Sequence, residues 1–140
     1  MITVLFTSLI GCGTGTGTIQ ASLDQEFTIP IDHNATINKE NLSIKFDKVT
    51  ADSRCPKGAV CIWAGEARCQ TYFSINNSGM APVAVELVDQ GGQIDGYSQT
   101  TWSSNAVTYK INFRLDPYPE AGKKTSNSEY KLIMLINKAS

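Results

Sequence analysis

Few side chains in this sequence are able to do chemistry, and their spacing argues against catalysis. There is one histidine, His33, set between Asp32 and Asn34 in a turn-like stretch. A lone histidine in such a turn is ordinarily a solvated surface group, and Cys69 has no histidine close to it in sequence. The patterns G-x-S-x-G and H-E-x-x-H and a phosphate-cradling glycine loop are all absent. Hydrolytic and thiol chemistry are not expected, and the chain reads as a non-enzyme without a cofactor. No metal is expected either, since Cys55 and Cys61 lack zinc-finger spacing and a second ligand pair. Asp89 and Asp95 offer oxygens of the kind calcium takes, but they fit no EF-hand spacing, and Asp and Gly favour such loops for backbone reasons.

What the cysteines can do is cross-link. The chain has four, at positions 12, 55, 61 and 69. If the run from Ile62 to Gln70 is extended, Cys61 and Cys69 lie about 26 Å apart at ~3.3 Å per residue. A disulfide needs Cα atoms within roughly 7 Å, so that pairing is excluded. Cys55 and Cys61 flank a Pro56, Lys57-Gly58 turn and are able to meet. Cys69 is then left as a small buried hydrophobe. Disulfide chemistry implies an oxidising compartment.

Cys12 reads differently. Residues Ile2 to Ile10 are apolar and end in Leu9-Ile10-Gly11-Cys12, which resembles the lipobox of bacterial lipoproteins, where the cysteine takes the lipid. The stretch is far shorter than the roughly 20 residues a membrane-spanning helix needs. Residues 1–11 are therefore expected to be a lipoprotein-type export signal, without the basic start such signals carry, as in a truncated one. Residues 12–21 form a polar, Gly- and Thr-rich tether, and residues 22–140 a single domain. The expected address is extracytoplasmic, at the cell envelope by a lipid on Cys12, or secreted.

The domain that positions these groups reads as all-β. At 140 residues with net charge −1, the chain suits one domain with a real core, and no basic stripe invites nucleic acid. Leu23, Phe27, Ile29 and Ile31 share one parity, in a first strand that Pro30 confines to an edge. Asp32 to Asn41 is a polar connection. Leu42, Ile44 and Phe46 form a second strand, and the braced loop follows. A third strand from Ile62 to Ile75 puts Trp63, Ala67, Cys69 and Phe73 inward. Val83 to Leu87, Val107 to Leu115 and Tyr130 to Asn137 complete the clear strands, with a short one possible inside the long Asp89–Asn105 connection. The expectation is an antiparallel β-sandwich of about seven strands, immunoglobulin-like in general architecture, although its disulfide is local and does not bridge two sheets. Antiparallel neighbours would send the braced loop and the 89–105 connection to one end. The 32–41, 76–81 and 117–129 loops would emerge at the other.

Phe46-x-x-Val49, Asp52-Ser-Arg-Cys-Pro56, Cys61-x-Trp63-Ala-Gly-Glu-Ala67 and a late Pro117-Tyr-Pro119 form a pattern. It resembles a group of small secreted or lipid-anchored proteins of bacteria and archaea that carry a DSRCP…CxWxG segment. The resemblance implies a fold and an extracytoplasmic address, and no mechanism.

The candidate binding surface is made of Asp52, Arg54, Lys57 and Glu66 around the braced loop, with Tyr97 and Trp102 in the long connection. For Asp52 and Arg54 a structural role competes with ligand contact: Asp52 bonding turn amides, and Arg54 tying the loop to a carboxylate or carbonyl. Glu66 faces outward, in reach of Arg68 or Arg54. The function expected is a non-catalytic envelope module that meets a protein or glycan through its end loops. The alternative is a protease inhibitor presenting the 54–61 loop, preorganised by its disulfide.

Overall fold

A computed structural model describes residues 17–76 and 79–139; the expected export signal at 1–11 and Cys12 lie outside them. The described residues contain nine strands and no α-helix. They are β1 (Thr18–Gln20), β2 (Phe27–Pro30), β3 (His33–Ile37), β4 (Leu42–Asp52), β5 (Glu66–Ile75), β6 (Val83–Gln90), β7 (Ser98–Ser104), β8 (Val107–Asp116) and β9 (Lys131–Lys138). One sheet has the order β1-β3-β4-β5-β6 and the other β2-β9-β8-β7. All pairings are antiparallel except β1 with β3. No helix among the described residues is long and apolar enough to cross a membrane.

The two-residue period of the sequence becomes the core. On β4 Leu42, Ile44 and Phe46 are buried while Ser43 and Lys45 lie nearer solvent; on β5 the buried set is Ala67, Cys69, Thr71 and Phe73. Tyr109, Ile111, Phe113 and Leu115 of β8 and Leu132, Met134 and Ile136 of β9 face them from the second sheet. Pro30, which has no N–H to give a ladder, sits on β2 at a sheet edge, as its chemistry requires. β9, apolar on both faces, lies inside its sheet.

Among the described residues the sandwich has nine strands where about seven were expected. β1 occupies Thr18–Gln20, assigned above to the tether, and β3 occupies His33–Ile37, assigned to a polar connection. β3 contributes only Ala35 and Ile37 to the core, too few apolar positions to stand out as a period. β7 turns Ser98, Thr100, Trp102 and Ser104 inward; three of these are small and polar, so the alternation carries no hydrophobic signal.

The extra strand also changes which loops meet. β7 carries the chain away from the braced loop, and β8 brings it back. The 117–129 loop therefore lies beside the braced loop, and the expectation that it emerged at the far end is corrected. Lys57 N–H donates to Pro119 O (2.9 Å) and Ala121 N–H donates to Lys57 O (2.9 Å), forming a small parallel bridge. The Gly91–Gly92 turn joins them, as expected, with Gly91 N–H donating to Gly65 O at 2.8 Å.

Candidate functional site

The braced loop leaves the sheet as a paired stem. Ser53 N–H donates to Glu66 O and Cys55 N–H to Ala64 O, both at 2.8 Å. Beyond the stem the Cys55–Cys61 disulfide closes the loop, with Cα atoms 5.9 Å apart. Gly65 bends the chain between loop and β5 with φ +71; a Cβ there would stand 1.9 Å from Ser53 O, so only glycine fits. That bend ends the parity of β5. Trp63, expected inward on an unbroken third strand, is instead 70% exposed, and its neighbours Val60 and Ile62 are fully exposed at 104% and 106%.

Beneath the loop lies a buried ionic cluster. Arg54 is 3% exposed. Its Nε and Nη2 donate to the two oxygens of Asp52, each at 2.8 Å, and Nη1 donates to Leu115 O at 2.7 Å. Nη2 also reaches Pro117 O at 3.1 Å, and Nη1 lies 3.6 Å from Asp89. The guanidinium therefore ties the loop stem to the end of β8 and to the start of the 117–129 loop. Tyr118 completes the clamp. Its hydroxyl donates to Cys55 O (2.7 Å) and accepts from Gly92 N–H (3.0 Å), and its ring lies 5.1 Å from the Arg54 carbon.

The two carboxylates in this cluster differ. Burial opposes the charge on Asp52, but the hydrogen bonds and charge of Arg54 outweigh it and hold the carboxyl below its usual range. Asp89 is pushed up by burial, against the bonds it accepts from Leu115 N–H (2.8 Å) and Ser98 Oγ (2.7 Å). Tyr130 donates to Asp52 at 3.1 Å; burial and that carboxylate push its phenol up to about 12. Burial likewise pushes the Cys69 thiol up to about 12. All four oxygens of Asp52 and Asp89 already accept hydrogen bonds within the cluster. Its chemistry is that of a clamp.

Asp89, considered above for calcium, has its oxygens committed to this clamp. Among the described residues no three His, Cys, Asp or Glu side chains gather as a metal site. His33 lies on β3 with Nδ1 2.8 Å from Ile31 O.

The six candidate surface residues separate. Lys57 is exposed at the loop. Glu66 is half-buried and accepts from Arg68 at 2.7 Å, the first of the two partners considered above. Asp52 is half-buried beneath Arg54 and Tyr130, and Arg54 is interior, in the structural role weighed for it. Tyr97 is half-buried; its hydroxyl donates to Glu26, and the Arg114 guanidinium lies 5.1 Å from its ring. Trp102, expected in a loop where packing over the sandwich competed with ligand contact, lies instead on the inner face of β7, where it packs edge-on to Phe73 (5.2 Å) and stacks with Tyr109 (6.3 Å). The residues missed are Val60 and Ile62. Their signal was present in Ala59-Val-Cys-Ile-Trp63, an apolar run that the disulfide holds outside the sheet.

No protein-family model, no curated protein and no solved structure matches this chain.

Proposed function

We propose that the chain is a non-catalytic extracytoplasmic binding module, tethered to the cell envelope by a lipid on Cys12, that meets its partner with the braced-loop end of the sandwich. One observation carries this reading: Val60, Ile62 and Trp63 project into solvent from a loop that a disulfide, a buried arginine and Tyr118 hold in place. Soluble domains rarely build a rigid support under a cluster of exposed apolar side chains unless another surface covers them. Preorganisation lowers the ordering cost of that contact. The Cys55–Cys61 disulfide fits an oxidising, extracytoplasmic compartment. The direction of β1 adds support. It runs parallel to β3 and away from the braced loop, so Thr18, where the strand begins, is its end nearer the braced loop.

The test is binding to isolated bacterial envelopes, with Cys12→Ser in every sample to remove any lipid. The otherwise native chain is compared with V60S/I62S/W63S. Co-sedimentation at least about tenfold weaker for the triple variant is expected, each large apolar side chain counting for that much when covered. Equal co-sedimentation would remove the reading.

The inhibitor alternative loses support from the same loop. Arg54 cannot reach a protease pocket without leaving its clamp, and Lys57 has both its N–H and C=O bonded to the 117–129 loop. An inhibitory loop needs that backbone free to pair with the enzyme. No inhibition of trypsin is expected at micromolar protein, with or without reductant.

A further inference from the structure

Resting on the binding-module reading, we infer that the surface covering the braced-loop tip is the interface of a lipid bilayer, into which Val60, Ile62 and Trp63 insert. The shape of the tip selects this occupant. Exposures of 104% and 106% mean that Val60 and Ile62 stand clear of their neighbours, so the tip projects as a convex spike. One aromatic side chain offers at most ~150–250 Å², and the two aliphatic ones beside it offer less each, so the tip as a whole falls short of a stable protein interface. A stable protein interface takes about 800 Å² from each partner and a complementary pocket for each anchor. A bilayer asks for neither, because its acyl region accepts any apolar shape.

The residue types agree. Trp is enriched at membrane–water boundaries, where its ring is apolar and its N–H stays hydrated. Lys57 lies on the same loop, and Lys123 on the turn bonded to it, with Lys123 N–H donating to Glu120 O at 3.1 Å. Lysines here can lay their alkyl stems along the boundary and keep their ammonium groups in water. Ile94, 43% exposed, stands on the 91–97 turn, which packs against Ala64 and widens the footing. The loops at this end also carry Asp95, Glu120 and Glu129, matching Lys57, Lys123 and Lys124 in number. Insertion is therefore driven by apolar contact, and anionic lipid adds little.

Fluorescence tests this, because the chain has two tryptophans and only one is at the tip. In full-length chain carrying Cys12→Ser and Trp102→Phe, Trp63 is the sole reporter. It is mixed with vesicles of phosphatidylcholine, with or without phosphatidylglycerol. The expected result is a blue shift of Trp63 emission, quenching by brominated acyl chains and protection from aqueous iodide in both vesicle types. V60S and I62S should each weaken the partitioning read this way about tenfold. If Trp102→Phe fails to fold, the native-tryptophan chain is compared with W63F, in which the vesicle-induced shift must disappear. Trp63 emission unchanged by vesicles and still open to iodide overturns the inference, as does a shift that survives in W63F. If Trp63 ignores vesicles while the triple variant still loses envelope binding, the module stands and its partner is not lipid. If neither responds, both readings fall.

Discussion

Replacing Arg54 with methionine tests whether the clamp holds the braced loop onto the sandwich. Methionine has a similar side-chain volume and no charge, so the change removes the bonds to Asp52, Leu115 O and Pro117 O without emptying the site. It strands two largely desolvated carboxylates, Asp52 and Asp89, with side chains 12% and 3% exposed. Breaking a buried ion pair from one side costs about 3–5 kcal/mol, a large share of the ~5–15 kcal/mol that holds a domain together. At a urea dependence of ~2 kcal/mol per molar, the unfolding midpoint at neutral pH should fall by about 2 M. The pH dependence supplies the refutation. In the native protein the lowered pKa of Asp52 gives stability that is fully present above its ordinary value of 3.8 and lost as pH falls through the depressed one. Asp89, raised by burial, acts in the opposite sense: its protonation on acidification relieves a cost. Without Arg54 both carboxyls are pushed up. The loss caused by the substitution must then be largest near neutrality and shrink toward pH 4 as the stranded groups protonate. A midpoint shift below about 0.5 M, or one equally large at both pH values, would refute the assignment of Arg54 as the charge that the cluster is built around.

Reducing the Cys55–Cys61 ring, or changing both residues to serine, should cost about 2 kcal/mol by chain entropy, read as a lower thermal midpoint. Cys69 should resist a thiol reagent at pH 8 in the native state and react on unfolding, since its thiol is buried and pushed up to about 12. Trp63→Ala should change stability by less than about 0.5 kcal/mol, whereas Trp102→Ala, which removes contacts with Phe73 and Tyr109, should cost about 2–3 kcal/mol by denaturant titration. Gly65→Ala should lower the thermal midpoint and loosen the loop, seen as faster amide exchange at Cys55, because its Cβ meets Ser53 O.

Much of this molecule was legible in the linear chain because the physics behind it is local. Alternation along Leu42–Phe46, Val107–Leu115 and Tyr130–Asn137 gave strands with their buried faces, since successive side chains of an extended chain must point to opposite sides. Pro30 marked an edge because it lacks a donor. A sequence separation of six between Cys55 and Cys61 sufficed for the disulfide, and excluding Cys69 needed only the length of an extended strand. The Asp52-Ser-Arg54 spacing already allowed a loop-tying arginine.

Tertiary structure decided the rest, wherever one residue's environment depends on a distant segment. β3 and β7 owe their place to the partners beside them, because two apolar residues in one and a single large apolar residue in the other make no period. The inserted β7 reversed the chain and brought the 117–129 loop under the braced loop. Arg54 found Asp89, Leu115 and Pro117 there, contacts that no spacing in sequence announces. Trp63 and Trp102 exchanged the surroundings their sequence neighbours implied: a left-handed glycine carried the first out of the sheet into solvent, and a strand of small polar residues laid the second against the core. Sequence sets which side chains alternate and which can be joined across a short span. Which of them face water is fixed only when the sheets close.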